Sequence, residues 1–311
     1  MRGLLAVYRK ELADHLGSRR FIILALLIGL AGLSSVYVAA QSIRAEISDA
    51  QNAFLLLFTT ASGPLPSFIT FISFLGPLVG LALAFDTINS EQNRGTLSRL
   101  LAQPIYRDAV INGKFLAALV TIAIMLTSIF VIVSALGILI LALLPAPAEL
   151  GRVLGFLIVC ILYVGFWLAL ATMFSVLFRQ PATAALAGIA AWIFFTFFVT
   201  MIADAIASAL VTLDMFFDPN ALLQLENLRL NLARLSPSTL FQEATVALLM
   251  PKVRTLGPLL VRDLIGMLPN PLPLSASLVI VWPQIAGLLA VTAFCFAIAY
   301  IRFMTQEIRS L

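Results

Sequence analysis

A chain of 311 residues that is 61% hydrophobic and only 11% charged, with mean hydropathy +1.06, excludes an ordinary water-soluble domain, whose charged fraction runs near a quarter. That much apolar surface fits a polytopic helical membrane protein, because each spanning helix uses about 20 apolar residues and satisfies its own backbone in lipid. The net charge of +4 sits largely beside the apolar runs and no basic tract interleaved with aromatics is present, so the basic excess points to membrane topology and excludes nucleic acid as a partner.

Residues 1–17 come first. Leu4, Leu5, Tyr8, Leu12 and Leu16 fall on one helical face and Arg2, Arg9 and Lys10 largely on the other, the pattern of a helix lying in the membrane interface. Arg19 and Arg20 then mark the boundary of a first span, Phe21–Ala40. Its Val38-Ala39-Ala40 end has the small residues of a signal-peptidase site, but the preceding run is too long for a signal peptide, and the span is read as uncleaved. Phe68–Ile88 forms a second span and Phe115–Leu144 a third, stopped by Pro145 and Pro147. Val153–Phe178 is the fourth, Arg179-Gln180-Pro181 a tight turn, and Ala182–Val211 the fifth. Within these runs Gly76-Pro77-Leu78-Val79-Gly80 and the small residues between Thr183 and Ala191 suit close helix packing, within one subunit or between two.

Residues 212–277 are the largest feature outside the spans. Asp218-Pro219 and Ser236-Pro237 are helix-start signals, an N-cap followed by proline at the first helical position. Leu222, Leu223, Leu225, Leu228, Leu230 and Leu232 follow the first; Phe241, Val246, Leu248 and Leu249 follow the second. Short amphipathic helices lying on, or dipping into, the outer face are expected. Leu278–Phe303 is the sixth span, with Pro283 near its start.

Basic residues orient the chain. Arg2, Arg9, Lys10, Arg19 and Arg20 precede the first span; Arg94, Arg99, Arg107 and Lys114 lie between the second and third; Arg179 follows the fourth; Arg302 and Arg309 close the chain. The other short loops hold only Arg44 and Arg152. The positive-inside rule then places both termini in the cytoplasm.

Chemistry inside the chain is sparse. Gly113-Lys114 is followed by Phe115 and lacks the upstream glycine of a P-loop, so the chain is not expected to hydrolyse ATP. No charged residue or histidine occupies the middle of a predicted span, where an ion relay would need one. Asp204 lies about 33 Å along its helix from Ala182, near the outer boundary, and Asp86 lies near the inner end of its span. Cys160 and Cys295 sit in apolar runs as buried thiols and form no CxxC pair, and His15, the single histidine, cannot build a two-histidine metal motif. Neither a cofactor nor a metal is expected in this chain, and the energy is expected to come from a partner.

The stretch from Asp86 to Ile105 is the candidate socket. Thr96 can N-cap a short helix whose Leu97, Leu100 and Leu101 share one face, Gln103-Pro104 stops it, and Glu91, Arg94 and Arg99 put charge around the apolar ridge. An ordinary polar loop is the competing reading of the same residues. The pattern Glu91-x-x-x-Gly95-Thr96-Leu97-x-x-Leu100-Leu101-x-Gln103-Pro104-Ile105-x-Arg107, with Gly113-Lys114 following, resembles the coupling-helix region of ABC type-2 exporter permeases, the membrane subunits of the type V ATP-binding-cassette architecture. Tyr8-Arg9-Lys10-Glu11-Leu12 resembles their elbow helix, and Leu235-Ser236-Pro237-Ser238 and Phe303-Met304-x-x-Glu307-Ile308-Arg309 are similar to patches of bacterial members.

The resemblance implies an all-α polytopic membrane protein with six transmembrane helices, a single permease domain over residues 1–311. Its parts are an elbow helix at 1–17, a coupling-helix region at 89–104 and an extracytoplasmic or re-entrant segment at 212–277. It also implies a second permease copy or paralogue around a central pathway, contact with membrane lipid, and separate ABC ATPase subunits that hold ATP and Mg²⁺. The setting implied is the cytoplasmic (inner) membrane of a prokaryote. By the same resemblance Glu91 and Arg94 contact polar groups on the ATPase, Leu97, Leu100 and Leu101 fill an apolar groove, and Gly95 permits the turn into the helix. Thr96 and Arg99 complete that surface, and Glu11 supports the elbow contact. An ion-coupled secondary carrier, a membrane-embedded enzyme and a scaffold remodelled by an ATPase are the rival readings.

Overall fold

The computed structural model describes residues 2–46, 53–61, 65–96, 103, 105–142, 144–210, 219–254, 256 and 272–306. Every regular element among them is helical: α1 (Arg2–Leu16), α2 (Arg19–Glu46), α3 (Ala53–Thr59), α4 (Phe68–Ala84), α5 (Asn89–Asn93), α6 (Arg107–Leu141), α7 (Pro147–Leu177), α8 (Pro181–Ile193), α9 (Val199–Leu210), α10 (Pro219–Ala233), α11 (Pro237–Leu249) and α12 (Leu274–Thr305). A π-helical turn, Phe194–Phe198, joins α8 to α9 in one rod. Among the described residues, six stretches are long and apolar enough to cross a membrane: Arg19–Arg44, Phe68–Asn93, Arg107–Leu141, Pro147–Leu177, Pro181–Leu210 and Leu274–Thr305. The chain is an all-α, multi-pass membrane protein.

The helices overrun the predicted spans, because an apolar window measures a hydrocarbon slab whereas a helix continues until its capping signals stop it. α6 starts at Arg107 rather than Phe115, which moves Lys114 from a loop into a helix. α7 starts with Pro147 at its first turn, where the Glu149 carboxylate accepts a hydrogen bond from the Ala146 N–H at 2.8 Å. Arg152, expected in a loop, therefore stands in the second turn of α7.

α7 is the hub. Phe156, Val159, Cys160, Tyr163, Val164, Trp167 and Leu168 are buried along it, against α4, α6, α11 and α12. Phe58, Phe68, Phe130 and Phe156 make a mutual edge-and-stack cluster, with Phe68 and Phe130 centroids 5.3 Å apart. The small residues of α4 serve this packing inside the chain: a Cβ on Gly80 would lie 2.7 Å from the Val164 carbonyl oxygen. A Cβ on Gly188 of α8 would likewise meet Leu81 of α4 at 2.8 Å. Cys160 and Cys295 are unbridged and buried.

The segment before the last span divides. α10 runs back along α9, tied by an Arg229–Asp204 ion pair, and Asn227 on it is exposed. α11 goes into the bundle: Phe241, Ala244, Ala247 and Leu248 are fully buried, and Phe241 stacks on Tyr163 at 4.3 Å. Tyr163 lies roughly 21 Å from the Leu177 end of α7, near its midpoint. The Tyr163 hydroxyl donates to the Ser73 carbonyl at 2.9 Å and pairs with Ser238 Oγ at 3.2 Å. Ser236 caps α11 by accepting from the Ser238 N–H, and its hydroxyl donates to the Phe195 carbonyl in the π turn at 2.6 Å. α11 thus starts beside the midpoint of α7 and runs, packed inside the bundle, toward the Pro147 end of that helix.

Candidate functional site

The other end of the bundle gathers α1, the first turns of α2 and α6, the chain from Asp86 to Thr96, and the last turns of α7 and α12. The connection leaving α4 is pinned from several sides. Ser175 Oγ on α7 accepts from the Ile88 and Asn89 N–H groups at 3.0 and 3.4 Å. Asn93 Nδ2 donates to the Arg179 carbonyl at 3.0 Å, and Gln306 Nε2 donates to Gln92 Oε1 at 3.4 Å. Ile88 is fully buried in a small apolar cluster with Val110, Ile111, Val176, Ala299 and Phe303. Asp86 is held by both guanidinium nitrogens of Arg20, at 2.9 and 2.7 Å, with that guanidinium over the Phe85 ring. It is a paired carboxylate at the end of its helix.

Beyond these anchors the chain turns outward. Gly95 takes φ +66°, a left-handed conformation that side chains disfavour, and it breaks the turn after α5. The Thr96 hydroxyl donates to the Glu91 carbonyl at 3.2 Å and closes the preceding turn. Arg94, Gly95 and Thr96 are exposed. Leu97, Arg99, Leu100 and Leu101, the expected apolar ridge and its charge, lie outside the described residues.

Glu91 and Glu11, 80 residues apart in sequence, are brought to one ammonium. Lys114 Nζ lies 2.8 Å from Glu91 Oε1 and 3.0 Å from Glu11 Oε1, and Lys114 is 3% exposed. Lys10 reaches Glu11 at 2.9 Å and Asp14 at 3.2 Å. Gly113 seats α1 on α6 one residue earlier: a Cβ there would be 2.9 Å from Val7 Cγ1. Burial alone would raise the Glu11 carboxyl pKa, but the Lys114 charge and hydrogen bonds from Lys10 and Lys114 outweigh it, and the net shift is downward. Burial lowers the pKa of His15, with Lys114 adding to the effect and Glu11 opposing it. A cavity of about 400 Å³ opens beside this network, lined by Glu11, His15, Asp86, Ser90, Glu91 and Lys114 among others. Glu91 Oε2 and His15 Nε2 are buried there without a hydrogen-bond partner.

Lys114 was absent from the predicted site. The signal lay in helical spacing: Val110, Ile111, Ala117, Ala118 and Thr121, three, four and seven residues away, are all buried, so Lys114 stands on the inward face of α6. Reading it as a loop cation for topology hid that register.

The opposite end carries buried charge as well. Arg152 is 3% exposed and its guanidinium donates to the Leu248 carbonyl at 2.7 Å, the Ser277 hydroxyl at 3.0 Å and the Leu272 carbonyl. It thereby holds the C-terminal end of α11, where helix carbonyls lack partners, to the start of α12. Glu243 of α11 is gripped by Arg234 Nε at 3.0 and 2.9 Å and receives a hydrogen bond from Gln284 Nε2 at 3.0 Å. The predicted spans contain no mid-depth charge; α11 brings Glu243 against the bundle. Among the described residues, no group of three metal-ligating side chains occurs.

The family model described as ABC-2 family transporter protein matches residues 5–308. A protein of Pseudomonas aeruginosa named probable ABC transporter permease protein NosY is 34% identical over 110 residues, and one of Stutzerimonas stutzeri with the same name is 31% identical over 109. Each alignment covers 35% of this chain and 36% of the relative's length.

Proposed function

Because the chain belongs to the ABC-2 transporter family, we propose that it is the membrane-spanning permease subunit of an ATP-driven exporter. Two such subunits, identical or paralogous, flank the pathway, and separate ABC ATPase subunits hold ATP and Mg²⁺ and dock on the cytoplasmic side. The name shared by the NosY relatives, a permease of an ABC transporter, supports the same role. The observation that carries the reading is the turn after α4. Its base is anchored on α7 and α12 while Arg94, Gly95 and Thr96 face outward. A surface of this kind transmits force, because a push on an exposed tip moves its anchors only when the base is rigid. Leu97, Leu100 and Leu101 supply the apolar contact in this proposal, with Arg94 and Arg99 around them, while Glu91 and, on the elbow helix α1, Glu11 support the surface from behind through Lys114.

The test is capture of an ABC ATPase subunit co-expressed with this chain. Burying a leucine contributes about 1.5–3 kcal/mol, so replacing Leu97 and Leu100 by Asp is expected to weaken docking by tenfold or more while membrane insertion stays normal. Co-purification at the native level after the double substitution would overturn the docking surface. An ion-coupled carrier is the second reading, and Glu243 inside the bundle is its support; its pairing with Arg234, whose Nε donates to both carboxylate oxygens, favours a structural pair instead.

A further inference from the structure

We infer that Lys114 is a positioning residue that makes the elbow helix α1 move together with the turn after α4, so that a subunit pressing on Arg94–Thr96 displaces α1 as well. The inference rests on the docking reading above and extends it to an element that the partner need not touch.

Three elements distant in sequence converge on one ammonium. Lys114 comes from the third turn of α6, Glu11 from α1 and Glu91 from α5. A lysine 3% exposed is costly to bury unless its charge is matched. Here it is matched twice, by carboxylates that belong to separate elements, at 3.0 and 2.8 Å. Both carboxylates are themselves largely buried, with 10% and 20% of their side chains exposed, so the pairs are weakly screened. A shift of Glu91 that carried it off Lys114 would leave a desolvated cation facing a lone Glu11. The cheaper response is for the group to travel as a unit.

The surroundings allow such travel. α1 approaches α6 at Gly113 with no intervening side chain, which places the pivot one residue from the ammonium. On the other side lies the cavity of about 400 Å³. Glu91 Oε2 and His15 Nε2 border it without a protein partner, so no hydrogen bond from those atoms ties the network to the cavity walls. The clamp is tight between its members and loose toward the space beside it.

The experiment uses the full chain in lipid nanodiscs, alone and with its ATPase, with Cys160 and Cys295 replaced by Ala. Spin labels go on cysteines introduced at the exposed positions Arg9 and Asn93, and their separation is measured by double electron–electron resonance with ADP and with a non-hydrolysable ATP analogue. The native clamp is expected to give one narrow Arg9–Asn93 distribution that stays narrow with either nucleotide. Lys114→Met is expected to broaden it at least twofold, alone and in complex, and Lys114→Arg to restore most of the narrowness. Because Lys114→Met strands two buried carboxylates, the triple variant E11Q/K114M/E91Q serves as its folding control: it keeps volume, leaves no unpaired charge, and is expected to fold and to broaden the distribution equally. An unchanged distribution in the triple variant overturns the inference, as does failure of Lys114→Arg to improve on Lys114→Met. Loss of the folded chain in the triple variant also overturns it, since Lys114 would then be needed for folding and not for positioning. If the native chain captures no ATPase, the docking reading fails, and the measurements on the chain alone still decide the clamp.

Discussion

Glu11 shows how a single carboxylate makes local structure depend on pH. Its carboxyl pKa is held below the ordinary 4.5, chiefly because Lys114 and Lys10 outweigh the effect of burial. A carboxylate whose folded pKa is depressed adds stability above its unfolded pKa and loses it as pH falls through the folded value. The docking of α1 is therefore expected to be intact at neutral pH and to weaken only below about pH 4.5. Melting of the purified chain in detergent checks this. The Tm advantage of the native chain over Glu11→Gln should be full at pH 6 and shrink steadily below pH 4.5; a constant difference would show that Glu11 acts through packing alone. Arg152 makes a contrasting case at the same scale. Its guanidinium is bound by carbonyls and a hydroxyl rather than by a carboxylate, and those acceptors belong to α11 and α12.

At the level of elements, the contact between α4 and α7 depends on two glycines. Gly76 and Gly80 lie one turn apart, and a Cβ at either would lie 3.1 and 2.7 Å, respectively, from Val164 atoms. At Gly80 the obstacle is α7 backbone, which cannot yield as a side-chain tip does. Gly80→Leu is expected to destabilise the chain by about 1–3 kcal/mol or more through overpacking, read as a lower Tm and poorer yield in detergent. Gly29, with nothing within 4 Å of an added Cβ, should accept Leu at little cost and serves as the control. α11 is the other element at this scale, expected either to lie on the outer face or to dip into it, and it packs inside the bundle. Its start was legible, since Ser236-Pro237 is a capping signal, but its depth was not. Sequence records that Phe241, Ala244 and Leu248 are apolar; only packing shows that they meet Tyr163, Phe156 and Gly155 of α7 rather than lipid or the membrane surface.

For the molecule as a whole, the two bundle ends differ in a way that bears on orientation. Arg20, Lys114, Arg107 and Arg179 gather at one end with α1, whereas α10 and the C-terminal end of α11 gather at the other. With the basic end facing the cytoplasm, a cysteine introduced at Asn227 should react with a membrane-impermeant maleimide on intact cells, and one at Asn93 should be spared until the cells are opened. Reversed labelling would invert the topology and put the proposed docking surface outside.

What the sequence by itself determined is the class: six apolar runs, a helical membrane protein, helix starts at prolines, and a polar, glycine-broken turn between the second and third spans. These are local properties, written in hydropathy and capping over windows of a few to twenty residues. What only the tertiary structure decided is which polar residues are interior. Lys114 and Arg152 read in sequence as loop charges, because burial depends on which helix packs on which face. Glu11, Glu91 and Lys114 are separated by 80 and 23 residues, and no local rule joins them. Their meeting follows from α1 seating on Gly113 and from Ser175 pinning the turn after α4, both of which are contacts between helices that sequence lists far apart.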